Sequence, residues 1–100
     1  MGINCHARIG SQADPEFLAS VVAEMDIVID DGSHVASHQL ASFKALFPAL
    51  SFGGVYICED LHTAYWQDWD GGYKRHGTFV ETIKDMIDNL HNMIDNLHKW

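Results

Sequence analysis

Two stretches of the chain are apolar without interruption and close on paired acids: "MDIVIDD" at 25–31 and "GGVYICED" at 53–60. A half-exposed strand alternates apolar and polar residues, so an unbroken run predicts strands covered on both faces, as in the interior of a parallel sheet. Between them, "SHVASHQLASFKALFPAL" places Val35, Leu40, Phe43, Leu46 and Phe47 at helical spacing. That is long enough for the crossover helix of a right-handed βαβ unit, with Pro48 and the Gly53–Gly54 pair as its stop. Upstream, "INCHARI" (3–9) is a weak strand candidate. In the following "GSQADPEFLASVV", Asp14 caps a helix that has Pro15 in first position and runs to about Ala23.

Downstream the pattern changes twice. "LHTAYWQDWDGGYKRHG" (61–77) has no sustained period and is dense in aromatics, glycine and aspartate, the composition of a functional loop. From Thr78 a helical pattern returns, with Phe79, Ile83, Ile87, Leu90, Ile94 and Leu97 making one apolar stripe over 78–98. Inside it "MIDNLHN" and "MIDNLHK" repeat a seven-residue unit, and two heptads fall short of a coiled coil. The stripe either lies on the sheet or pairs with another copy of the chain. The pattern as a whole predicts one α/β domain over 1–100, with about three parallel strands, flanking helices and a long C-terminal helix.

Composition narrows the function. A chain of 100 residues holds one modest core, and with 47% apolar and 20% charged residues it is globular in type. A formal charge of −8 without a lysine or arginine cluster argues against nucleic acid and anionic membrane as partners, because phosphate binding needs cations that displace counterions. Cys5 and Cys58 each lie in an apolar run, and neither a signal peptide nor an apolar stretch of 18 residues is present. Buried free thiols in a reducing cytoplasm are the expected setting.

The acid pairs carry the candidate chemistry. In an open parallel sheet ligands gather beyond the carboxyl ends of the strands, where Asp30–Asp31 and Glu59–Asp60 both fall. Neighbouring strands lie about 4.8 Å apart, so acids from two tips can share one ion. Asp31, Glu59 and Asp60 suit a hard divalent cation such as Mg²⁺, while Asp30 instead holds backbone amides or caps the following helix. His34, three residues beyond Asp31, is placed to take a proton at neutral pH; the alternative is a solvated first-turn residue behind a Ser33 or Asp31 cap. His62 is close enough to the second acid pair to assist. His6, His38, His76, His91 and His98 read as ordinary surface or core histidines.

These residues resemble a known family. "DIVIDDGSHVASHQLASFKALFPALSFGGVYICEDLHTAYW" is similar to the second half of class I S-adenosylmethionine-dependent methyltransferases. Within them it resembles the metal-dependent sugar O-methyltransferases of macrolide biosynthesis (the macrocin and mycinamicin type) and related cephalosporin-biosynthesis proteins. "IDDGSH" and "EDLHTAYW" occur in order and at the family's separation, within a match over roughly residues 8–66. The resemblance implies a partial Rossmann-like unit with helices in layers on both faces of the sheet. It implies Mg²⁺ at Asp31, Glu59 and Asp60, His34 as general base toward a hydroxyl of a sugar or other small molecule, and S-adenosylmethionine as methyl donor. "GSQAD" resembles the turn near the adenine, which makes Ser11, Gln12 and Asp14, together with Asp30, the cofactor contacts. His62, Tyr65 and Trp66 would belong to a lid over the substrate.

The departures from the family are equally specific. No glycine-rich turn of the E/D-x-G-x-G kind occurs in the chain, and no acid follows a second strand to hold the ribose hydroxyls. The expectation is a truncated domain whose bare edges and helix-packing face call for a homo-oligomer or a companion chain. Three readings follow: a methyltransferase or a piece of one, a non-enzymatic oligomerisation or binding module that kept the fold, and a metal-assisted hydrolase.

Overall fold

The structure, a computed structural model, describes residues 7–98, and the side chains of the last helix as far as Leu90. Two parallel strands form its sheet: β1 (Met25–Asp30) and β2 (Leu50–Cys58), paired Ile27 to Val55, Val28 to Tyr56, Ile29 to Ile57 and Asp30 to Cys58. The register slips between Met25, opposite Leu50, and Ile27, opposite Val55, so β2 carries extra residues there. The glycine pair makes this possible. Gly53 takes φ +81, and a Cβ on Gly54 would sit 2.9 Å from the carbonyl oxygens of Asp26 and Ser51. Ser51 closes the bulge, its hydroxyl bonding the Met25 carbonyl at 3.1 Å and Asp26 Oδ1 at 2.6 Å. Gly53 and Gly54 thus lie inside β2 rather than ahead of it.

Helix α1 (Pro15–Val21) begins as its sequence predicts: Asp14 Oδ1 accepts from the Glu16 amide at 3.0 Å, Pro15 occupies the first turn, and Leu18 is buried. Helix α2 (Ala36–Leu46) is the crossover between the strands, buries Ala36, Leu40 and Phe43, and tightens into a 3₁₀ turn at Phe47–Ala49. Phe43 is its anchor. Its ring meets Phe47 at 4.7 Å, Tyr56 at 5.1 Å and Phe79 at 5.2 Å, joining α2, the sheet and helix α3 (Phe79–His98) in one aromatic cluster. Thr78 starts α3: its hydroxyl accepts from the Glu81 amide at 3.2 Å and donates to the Arg75 carbonyl at 3.1 Å. Among the described residues no helix is long and apolar enough to cross a membrane.

The segment without a sequence period is nonetheless ordered. It folds into 3₁₀ turns at Leu61–Tyr65 and Gln67–Trp69, closed by Gly71 N to Trp66 O at 2.9 Å and Gly72 N to Ala64 O at 2.8 Å.

Two expectations change. The described sheet has two strands rather than about three: 7–9 are irregular, and the rest of the "INCHARI" segment, with Cys5 and His6, lies outside the described residues, as do the side chains of His91, Ile94, Leu97 and His98. The strands are also covered on one face, not both. Val28 and Asp30 are buried toward the helices, while Ile27, Ile29, Val55 and Ile57 are 43–63% exposed on the other. The apolar run did mark residues suited to burial, but strand alternation sends every second side chain to the opposite face. No described element packs there.

Candidate functional site

Parallel pairing brings the two acidic tips together. The ladder continues one bond past the strands, from the Glu59 amide to the Asp30 carbonyl at 2.9 Å, so Asp31 and the Glu59–Asp60 pair emerge side by side. The backbone then turns sharply in both loops. His34 has φ +67 and Asp60 φ +60, left-handed conformations that cost a residue with a Cβ on the order of 1–3 kcal/mol. This double turn aims both side chains into the same space. Ligand atoms of Asp31, His34 and Asp60 all lie within 4.8 Å of one another, and His34 Nε2 stands 3.1 Å from Asp60 Oδ2.

Glu59 stands beside this trio. Its carboxyl is raised above its ordinary value chiefly by the charge of Asp31, then by desolvation, a hydrogen bond with Asp31 and the charge of Asp60. Like charges at such range resist joint ionisation. A divalent cation would relieve that crowding, and carboxylate oxygens are the donors Mg²⁺ prefers, so the residues present fit such an ion. The expected ligands Asp31 and Asp60 are brought together by the fold, with His34 as the third converging group and Glu59 reached through Asp31.

The expected cofactor residues take up definite structural work. The Gln12 amide nitrogen lies 3.0 Å from Ser42 Oγ, 3.2 Å from Asp30 Oδ2 and 3.4 Å from the His38 carbonyl, and its oxygen accepts from the Ser33 amide at 2.6 Å. Gln12 thereby ties the first loop to the β1 tip and to α2. Gly32 is required beside it, because a Cβ there would overlap the Gln12 amide oxygen. Asp30 accepts from the Gly32 amide at 3.1 Å, so it does hold a backbone amide; burial pushes its carboxyl up, against the pull of Gly32 and Gln12. Opposite it, burial and then the Asp30 charge push the Cys58 thiol up to about 12, which keeps it protonated at neutral pH. A cavity of about 320 Å³ opens here, lined by Gln12, Asp30, Asp31, Gly32 and Ser42 among others. Ser11 and Asp14 face their own turn, Ser11 Oγ accepting from the Ala13 amide at 3.1 Å and Asp14 capping α1.

Neither Ser33 nor Asp31 caps α2. The cap position is Val35, without a side-chain bond, and Ser33 Oγ instead meets His38 Nδ1 at 2.9 Å. His62 stacks edge-on against Trp66 at 5.0 Å, and Tyr65 and Trp66 are about half exposed. Three residues at the site carry no sequence signal. Trp69 lies with its ring 6.3 Å from that of His34. Thr63, buried, donates to the His34 carbonyl at 2.5 Å and stands 3.3 Å from that of Asp60. Gln39, also buried, directs its amide nitrogen to the carbonyls of Glu59 at 3.4 Å and Asp60 at 3.3 Å, and its Oε1 has no partner among the described residues. A threonine in an aromatic loop and a glutamine mid-helix become visible as site residues only once the loops are folded over them.

A parallel α/β unit with carboxylates and a histidine converging at its strand tips is a piece of a methyltransferase-type α/β fold, and comparison with solved structures agrees. The MycE methyltransferase of the mycinamycin biosynthetic pathway, in complex with Mg, SAH and mycinamycin VI, superposes with a TM-score of 0.74 at 44% identity, over 79% of this chain and 22% of that one. Among curated proteins, the 8-demethyl-8-alpha-L-rhamnosyl tetracenomycin-C 2'-O-methyltransferase of Streptomyces olivaceus is 42% identical over 89 residues, 85% of this chain and 24% of the relative. Demethylmacrocin O-methyltransferase of Streptomyces fradiae is 43% identical over 88 residues, 82% of this chain and 22% of the relative. No family model matches the chain. The chain is thus a relative of the macrocin- and mycinamicin-type sugar O-methyltransferases, and it spans roughly a quarter of the length of the curated relatives it matches.

Proposed function

We propose that the chain carries the metal-binding end of an S-adenosylmethionine- and Mg²⁺-dependent O-methyltransferase site acting on a hydroxyl of a sugar or other small molecule. The observation that supports this best is the convergence of Asp31, His34 and Asp60 at the strand tips, in a chain similar to proteins solved with Mg and SAH. Asp31 and Asp60, with Glu59 beside them, would hold the ion. Mg²⁺, when bound, supplies positive charge that lowers the pKa of a nearby hydroxyl. His34 would take that proton at the ring nitrogen that does not face Asp60, since Nε2, 3.1 Å from Asp60 Oδ2, carries the hydrogen that the carboxylate accepts and so orients the ring. S-adenosylmethionine, when bound, supplies the methyl group. Gln12 and Asp30 border the cavity beside the acids and are the better-placed cofactor contacts, with Ser11 and Asp14 in the adjoining turn. His62, Tyr65 and Trp66, with Trp69, form the aromatic side over the substrate.

The glycine-rich half of the cofactor cradle is not in these 100 residues, so another chain segment, a companion chain or a second copy would have to supply it. The exposed sheet face favours a second reading, an oligomerisation or binding module that keeps the fold without turnover. The setting proposed for either is the cytoplasm, without nucleic acid or membrane as partner.

Thermal unfolding in Mg²⁺, followed by calorimetric titration with S-adenosylhomocysteine, tests these readings. A ligand that binds only the native state stabilises it by about 2.7 kcal/mol at 100 times its Kd, so Mg²⁺ should raise the Tm by several degrees, and Asp60→Asn should abolish the rise. A Tm indifferent to millimolar Mg²⁺ would remove the metal site. Mg²⁺ binding without S-adenosylhomocysteine binding, in a folded chain, would favour the module.

A further inference from the structure

His34 and Asp60 both hold left-handed backbones, which stay uncommon for residues with a Cβ even though Asp and His adopt them more readily than most. Contacts beyond the two turning residues keep them there. Three carbonyl oxygens surround the double turn, those of His34, Glu59 and Asp60, and three donor hydrogens from two buried side chains face them. A threonine hydroxyl has one hydrogen and an amide two. The Thr63 hydrogen goes to the nearer carbonyl, His34 at 2.5 Å, and the two hydrogens of Gln39 serve Glu59 and Asp60. The orientation of the Gln39 amide follows, since its oxygen cannot face two carbonyls; that oxygen has no partner among the described residues. An arrangement that leaves a buried amide oxygen without a partner has its donors committed to the loops.

We infer that Thr63, backed by Gln39, is a positioning residue: it bonds the carbonyl of His34 and so fixes the left-handed turn that sets the imidazole against Asp60 and the candidate metal ligands. The inference rests on the metal-site reading for its purpose, and on the backbone geometry alone for its truth. Groups that orient ligands from behind change metal affinity by about 10–100-fold when lost.

The test compares wild type with Thr63→Val, Thr63→Ser and Gln39→Met, with Thr78→Val as a control that removes an equally buried hydroxyl away from the site. The deciding readout is the intraresidue amide-to-Hα NOE of His34 and Asp60 in metal-free protein, which is strong when φ is positive and weak in extended or helical backbone. Thr63→Val should lose the signature at His34, Gln39→Met should weaken it at Asp60, and Thr63→Ser and Thr78→Val should keep both. If Thr63→Val does not fold, Thr63→Ala makes the same comparison. Signatures unchanged in Thr63→Val or Thr63→Ala and in Gln39→Met would overturn the inference. Mg²⁺ titration of the same proteins separates it from the reading beneath it. An affinity reduced about 10–100-fold in Thr63→Val, and near wild type in Thr63→Ser, joins the two. No Mg²⁺ binding by wild type would sink the metal site and leave the NOE to decide the role of Thr63.

Discussion

Glu59 shows how acids crowded at two strand tips leave a signal in stability. Its carboxyl is raised above the ordinary 4.5, first by Asp31, so the folded chain binds this proton more tightly than the unfolded chain does. Linkage sets the sign: this group favours the fold most below pH 4.5, and its contribution is lost as the pH rises through the raised folded value. Glu59→Gln, which cannot ionise, should flatten the metal-free stability curve over that interval. Mg²⁺ should stabilise wild type increasingly over the same interval, because carboxylate ligands must be ionised to bind. Denaturant unfolding at stepped pH, with and without Mg²⁺, checks both. Parallel curves for wild type and Glu59→Gln would show that Asp31 and Glu59 do not interact.

At the scale of elements, α2 links core and site. Its inner face carries Phe43 into the aromatic cluster, and its first turns present His38 to Ser33 and Gln39 to the β2 tip. Phe43 is only 7% exposed and touches three rings, so Phe43→Ala should cost about 3–5 kcal/mol through lost burial and the cavity left behind. A domain of this size has a total stability of about 5–15 kcal/mol, so that loss takes a large share of it. Phe43→Leu should cost markedly less. Urea midpoints for the two variants measure the difference; equal midpoints near wild type would mean that the cluster does not hold α2 to the sheet. The site should weaken together with this core, since its donors ride on the same helix.

For the whole molecule, the exposed sheet face is the dominant feature. Ile27, Ile29, Val55 and Ile57 stand adjacent through the strand register and are about half exposed or more, a contiguous apolar surface at the centre of the fold. Such a surface should bind a hydrophobic dye in the native state. Ile29→Lys places a charge in its middle without touching the aromatic cluster, so dye fluorescence should fall while the circular dichroism spectrum stays unchanged. Undiminished fluorescence would place the dye elsewhere, on the apolar side of α3 around Ile83, Met86 and Ile87. Unfolding would show that the face supports the core.

The sequence by itself determined the elements and their order. Asp14 and Pro15 announced α1, the apolar runs announced β1 and β2, and the helical spacing between them required the parallel crossover that α2 supplies, because capping, period and chain length act locally. It also determined that acids from both strand tips would meet, since parallel pairing leaves them no other end of the sheet. Tertiary structure alone decided which faces are covered and which groups converge. His34 joins Asp31 and Asp60 through two left-handed turns, and Thr63 and Gln39 reach those turns from residues 29 and 21 positions away from their farthest partners. Neither a backbone handedness that the residue itself disfavours nor a hydrogen bond across such separations leaves a periodic trace in the chain. Both exist only because packed neighbours hold them.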